Sequence, residues 1–380
     1  MFAKLAGRAG VVIALSGGLA FGGFTPSVDA TSGSWRIVVN GLDNPRGLNF
    51  GPLGNLYIAE AGRGGDGLCG PGPEGTRCFG ESGAITRWIP RTGNVQRVAT
   101  GLPSLATENA GEFAIGPNDI DLDPLGFAFV TIGFGGDPNT RETTFGPDGR
   151  RLARAILLLP RNNALSIKDL GNFEAANNPA GDEVDSNPYG MLARLGRQIV
   201  TDAGANDLLQ IALGGRTTAL ATFPNRMVDA PPFLGLPPGT QIPMDAVPTT
   251  VALGPGGDYF VGQLTGFPFP VGGANVYRVP ARGGTPTVYA SGFTNIVDIA
   301  FGKDGSLYVL QIAKNGLLAA FNANDWTGAL IRVRRNGTRT ELVPGVLTAP
   351  GGVTIGPDGA LYVTNNSIYP GIGEVIRIEP

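Results

Sequence analysis

The chain has 380 residues, 42% of them hydrophobic, with 61 glycines, 31 prolines and a net charge of −3. This apolar content sustains a core and argues against disorder, while the glycine and proline load calls for many turns. The weakly acidic balance gives no reason to expect nucleic acid or an anionic membrane as partner; the absence of histidine removes Ser-His-Asp catalysis, histidine-bound zinc or copper, and histidine general bases.

Residues 1–30 read as an export leader. Lys4 and Arg8 form a basic start, residues 9–24 are apolar, and Val28-Asp29-Ala30 is a small-residue cleavage signal. The apolar run is short and broken by Gly17, Gly18, Gly22 and Gly23, which argues against a membrane anchor. No later segment is long and apolar enough to span a bilayer. The expectation is a leader over 1–30 and one domain over 31–380, periplasmic or secreted and monomeric.

Next comes Trp35-Arg36-Ile37-Val38-Val39, a strand with no hairpin partner nearby. The first hairpin then centres on Gly54 in GPLGNLYIAE. Its relatives centre on Gly126 (DPLGFAFVTI), Gly196 (ARLGRQIVTD), Gly257 (GPGGDYFVGQ), Gly305 (GKDGSLYVLQ) and Gly359 (GPDGALYVTN). In the last, Pro357 presets φ for a turn and Asp358-Gly359 tolerate positive φ. Leu361-Tyr362-Val363 is a short β-branched and aromatic run bounded by turn residues, hence a strand. Each hairpin is followed by a second strand pair, such as Ala84 to Trp88 with Val95 to Val98. Four strands per unit and six units predict an all-β fold, a six-bladed β-propeller. After the last hairpin only Glu374 to Ile378 remains, so the Trp35 strand is expected to complete the last blade and close the ring, which removes two exposed edges.

Cys69 and Cys78 lie in CGPGPEGTRC, an insertion in the first unit. In an oxidising compartment two nearby cysteines in a Gly/Pro loop form a disulfide. Further insertions are expected at 102–117, 134–151, 173–186 and 312–326, the last with a helical turn around Leu317 to Phe321. Insertions of this kind project from one propeller face and shape its binding surface. GFGGDPNT around Gly135 lacks the Lys-Ser/Thr ending of a phosphate loop.

The repeat also points to a site. Six residues after the anchor glycines stand Glu60, Ile132, Asp202, Gln263, Gln311 and Asn365; seven before them stand Gly47, Asp119, Tyr189, Thr250, Asp298 and Gly352. Rotation about a ring would gather the first set around the channel. Two readings stay open. The polar groups solvate a water-filled channel and cap strand ends, or Glu60, Asp202, Gln263, Gln311 and Asn365, with Asp119 and Asp298 nearby, bind a ligand. Within that set Glu60, Asp202 and Asn365 offer oxygen-only ligands suited to Ca²⁺ or Mg²⁺.

The repeat resembles the NHL repeat in NPRGLNFGPLGNLYIAEAG and GGVTIGPDGALYVTN. Residues 41–88, with the Cys-bearing insertion, and NPYG at 187–190 look like the ScyD/ScyE family of exported bacterial proteins, a likeness that runs over the whole chain after the leader. That family is named for the gene cluster of scytonemin, a cyanobacterial sunscreen pigment assembled partly outside the cytoplasm. The resemblance implies an exported propeller but carries no catalytic residue over.

Two functions follow as expectations. One is a binding or scaffold protein that engages a protein or small molecule through one face, linked through the resemblance to extracytoplasmic pigment synthesis. The alternative is a histidine-free propeller enzyme, a lactonase-like hydrolase or strictosidine-synthase-like lyase, with Glu60 as acid/base.

Overall fold

The computed structural model describes residues 29–31, 33–72 and 75–380. It is a ring of six four-stranded blades. Blade 1 comprises Pro45–Phe50, Leu56–Glu60, Gly75–Ile89 and Asn94–Thr107; blade 2 comprises Pro117–Leu122, Ala128–Ile132, Arg154–Leu159 and Asn163–Asp169. Blade 3 runs through Pro188–Arg194, Arg197–Asp202, Asp207–Ala212 and Thr217–Thr222. Blade 4 uses Pro248–Leu253, Tyr259–Gln263, Ala274–Val279 and Thr287–Phe293. Blade 5 follows with Ile296–Phe301, Leu307–Gln311, Ala329–Val333 and Arg339–Leu342. Blade 6 has Gly352–Ile355, Leu361–Asn365 and Gly373–Ile378, and its outer strand is Trp35–Leu42. That outer strand pairs antiparallel with Gly373–Ile378, Trp35 opposite Ile378 and Ile37 opposite Ile376. The ring is closed by its N-terminal strand, as the orphan strand in the sequence implied.

The six anchor glycines, from Gly54 to Gly359, all have positive φ, between 75° and 88°. In five of them the N–H closes the turn on the carbonyl three residues back, as Gly359 does on Gly356. Between each pair of neighbouring blades lies an apolar cluster. Leu48, Ile58, Trp88 and Tyr362 join blades 1 and 6, and Ile199, Leu208, Tyr259 and Val261 join blades 3 and 4. Side chains of a strand alternate between its two faces, so each blade buries both faces and no blade is stable alone.

The antiparallel order puts all short turns between first and second strands on one side of the ring, the turn face. The long connections fall on the opposite side, the insertion face. There lie the helices Arg141–Phe145, Leu170–Asn177 and Leu317–Ala323. The sequence did not announce the hairpin Arg226–Asp229 with Gln241–Met244, which sits in the proline-rich connection between blades 3 and 4. The expected insertion from residue 102 is in part strand, since Asn94–Thr107 extends the outer strand of blade 1.

Cys69 and Cys78 face each other across an antiparallel pair and form a disulfide. Of the expected leader, residues 1–28 lie outside the described residues. Asp29 and Ala30 form with Thr31 a short strand parallel to Arg339–Leu342 of blade 5, which runs across the expected cleavage point. Among the described residues no helix is long and apolar enough to cross a membrane.

Candidate functional site

The polar residues that end the second strands do not ring the channel. Glu60 is fully buried and turns outward across its own blade. Its Oε1 accepts from Thr86 Oγ1 at 2.5 Å and Arg97 Nε at 3.0 Å. Oε2 accepts from Arg97 Nη2 at 2.7 Å and from the Asp43 N–H at 2.8 Å. Arg97 belongs to the outermost strand, and its charge is held further by Asp43. Asp202 accepts from Ser186 Oγ and the Asn187 N–H, both at 2.6 Å. Gln311 accepts from the Thr294 N–H and Asn365 from the Thr348 N–H. Gln263 accepts from the Asn275 N–H and donates to the Ala246 carbonyl. Ile132 takes no part in this pattern.

These side chains satisfy backbone groups where the chain enters its blade or turns within it. A buried amide without a partner is costly, and a repeated polar residue at this position removes that cost. The expected ring is therefore a set of structural locks. The expected Ca²⁺ or Mg²⁺ set is corrected too: Glu60, Asp202 and Asn365 stand in three blades with oxygens already engaged. Among the described residues no group of three or more Asp, Glu or Cys side chains could hold a metal ion. Glu60, saturated by an arginine, a threonine and an amide, is not placed as an acid/base either.

The axis is occupied by the other set. Five of the six inner strands carry a register shift near their start, such as Pro117/Asp119 and Ile296/Asp298. Such a bulge re-aims the next side chain. Asp119 Oδ2 accepts from the Met191 N–H at 2.8 Å in blade 3. Asp298 Oδ2 accepts from the Val353 N–H at 2.7 Å in blade 6, and Oδ1 from Thr250 Oγ1 of blade 4 at 2.5 Å. Innermost strands are sheet edges with free N–H groups; these carboxylates bridge one blade's edge to the next. A Cβ at Gly47 would collide with Asp119, and one at Gly352 would meet the Arg46 carbonyl oxygen at 2.8 Å. Glycine at these positions lets the inner strands close tightly around the axis.

Both axial carboxyl groups are raised. Burial and then the Asp298 charge hold the Asp119 carboxyl well above its ordinary range; burial pushes Asp298 up to about 6 against its amide and hydroxyl donors. Tyr189 is buried beside them with its hydroxyl against Arg46. The Arg46 Nη2 donates to the Ala114 carbonyl at 2.6 Å, and its Nε is buried without a partner. One step towards the turn face, Asn49 donates to Asp121 at 2.6 Å, and Asp121 accepts from the Ala193 N–H. Burial lifts Asp121 to about 7. The sequence placed Asp119, Tyr189 and Asp298 in register but missed Arg46 and Asp121. Arg46 stands one residue off the repeat position and reaches the axis only through the bulge in its strand.

The insertion-face mouth is covered. Phe113, from the connection between blades 1 and 2, meets Trp326 and Phe321 of blade 5 with ring centroids 5.6 and 5.9 Å apart. Its N–H donates to the Ile368 carbonyl of blade 6. Phe113 packs on one apolar cluster that runs from Tyr189 and Ala203 of blade 3 through Leu264, Leu317 and Trp326 to Val353. The insertions expected to shape a binding surface form a plug. Asp119, Asp298 and Asn49 keep partial exposure. On the turn face the ends of the inner strands of blades 1 to 4 line a cleft of about 600 Å³. A second cleft of about 630 Å³ lies on the insertion side of blade 1, beside the disulfide and between Arg63 and Glu108.

No family model and no curated protein sequence matches the chain. Among solved structures it is similar to a protein of unknown function from Bacteroides thetaiotaomicron, at 7% identity and TM-score 0.53, over 89% of this chain and 69% of that one. A glucose dehydrogenase matches at 14% identity and TM-score 0.51, over 91% and 99%. A protein provisionally named a gluconolactonase matches at 10% identity and TM-score 0.50, over 93% and 94%. At these identities the likeness is one of fold: a β-propeller.

Proposed function

We propose that this protein is an exported small-molecule-binding propeller. Its ligand enters from the turn face and presents a polar group to Asp119, Tyr189 and Asp298 at the blind end of the channel. The observation that carries the reading is the pair of enclosed carboxylates with raised affinity for protons, below an aromatic plug and beside a buried arginine. Perturbed carboxylates in a concavity are candidates for a functional site. The disulfide and the ScyD/ScyE resemblance of residues 41–88 support export and a role in handling an extracytoplasmic metabolite.

One observation favours a catalytic second reading. Two enclosed carboxyl groups whose affinities for protons are both raised suit general acid and general base roles. Hydrolysis of a lactone or a lyase step would use Asp119 and Asp298, with Glu60 confined to structure. The test uses dihydrocoumarin as probe lactone, followed by thermal unfolding and by product formation. Binding to the folded chain alone raises its melting temperature. A rise that disappears in Asp119→Asn and Asp298→Asn supports the site, and turnover lost with it supports the catalytic reading. A rise that persists in both variants places the ligand elsewhere.

A further inference from the structure

The residue before the anchor glycine has the same place in each turn but not the same chemistry. In blades 5 and 6 it is Asp304 and Asp358, whose Oδ1 atoms accept from the Ser306 and Ala360 N–H groups two residues on. That is the ordinary reason for aspartate in a tight turn. In blades 1, 2 and 3 it is leucine, and Leu53, Leu125 and Leu195 are 89%, 68% and 66% exposed. Leucine contributes nothing to the turn. In blade 2 the hydrogen bonds are taken over by Asp123, which accepts from the Leu125 and Phe127 N–H groups.

Of these leucines, Leu195 lines a concavity at the ends of the inner strands. This cleft of about 600 Å³ on the turn face is lined by Phe50, Pro52, Leu122, Leu192, Leu195 and Leu253, together with Arg194 and Arg197. Single exposed leucines are ordinary, whereas a contiguous apolar patch is not. The arginines are the second observation. Eight arginines of the described chain are held in ion pairs, and others, such as Arg216 and Arg282, are not; what sets Arg194 and Arg197 apart is their shared place in the cleft. Arg194 and Arg197 face each other across their hairpin and form no ion pair among the described residues. Asp121, whose carboxyl feels the Arg194 charge, is pushed up to about 7 by burial and balances it only in part; Asp123 also lines the cleft, with its Oδ1 held by the Leu125 and Phe127 N–H groups.

We infer that the turn-face mouth, walled by blades 1 to 4, binds a small amphiphilic anion, with its apolar body against Leu122, Leu192, Leu195 and Leu253 and its anionic head on Arg194 and Arg197. The volume is that of a pocket for one drug-sized molecule, and a concave site of this size suits a free solute better than a bilayer surface. Guanidinium pairs take carboxylate or sulfonate oxygens in forked geometry. This deepens the proposed channel site, on which it rests for the direction of entry.

The test is a fluorescence titration of the folded full chain with 8-anilinonaphthalene-1-sulfonate, an aromatic anion. Saturable binding of one dye per chain is expected, weakened by salt and about tenfold by Arg194→Gln with Arg197→Gln. Leu195→Ser, at an exposed position of the lining, is expected to weaken it similarly, and decanoate to displace the dye at least tenfold better than decanol. Equal affinity in all variants, or equal competition by decanol, overturns the proposal. So does concentration-dependent self-association of the chain in place of dye binding, or binding to anionic vesicles without binding of the free dye. Dye binding together with ordinary titration of Asp119 and Asp298 would leave the mouth site standing and remove the channel site. The reverse result would separate them the other way.

Discussion

Glu60 shows what a repeat position means for a single residue. In the sequence it is the lone glutamate of a polar series after the second strand and invites a catalytic role. In the fold it holds Arg97, Thr86 and the Asp43 amide within blade 1. Glu60→Gln is expected to cost about 2 kcal/mol in urea denaturation, below the cost of breaking a wholly buried pair because Arg97 still reaches water. The variant is expected to bind channel ligands as the parent does. Unchanged stability with lost binding would return Glu60 to the site. The distinction was not legible in sequence, because a lock and a ligand group use the same side chains. What separates them is whether the oxygens are already paired. Asp119 and Asp298 were legible as positions, but not as a coupled pair, since their approach depends on the bulges and on Gly47 and Gly352.

At the scale of the element, the hairpin with its positive-φ glycine was fully readable. Turn chemistry and β-branched runs are local, and six copies agree with one another. The closing strand was readable by counting, because blade 6 lacked its fourth strand until Trp35–Leu42 was assigned to it. Val39 is buried in the cluster between blades 6 and 1. Val39→Asp is expected to destabilise by about 3 kcal/mol or more, through an unpaired charge in an apolar site. Thermal unfolding together with sedimentation checks this. A stable variant with a normal profile would mean that the N-terminal strand does not close the ring. The insertions were readable only as places. Phe113, Phe321 and Trp326 come from distant segments, and no local pattern says that they meet.

For the whole molecule, closure at one face and a cleft at the other decide where a ligand can go. The plug joins residues of blades 3 to 6 with Phe113; the turn face offers apolar tips, unpaired arginines and, below them, carboxylates that hold protons. Both axial aspartates have folded values raised above the ordinary 3.8. The folded chain therefore keeps protons that the unfolded chain has released above about pH 4. Stability from these protons is complete below that value and is lost as pH rises through about 6, the folded value of Asp298. The most direct measurement is a carboxyl-carbon NMR titration of the chain with ¹³C-labelled aspartate, with signals assigned through Asp119→Asn and Asp298→Asn. The account predicts that Asp119 and Asp298 titrate as a linked pair, at least one of them at or above about pH 6, and that replacing Asp298 lowers Asp119. Independent titration of both near the ordinary 3.8 would mean that the axis of the ring is a solvated channel and not a site.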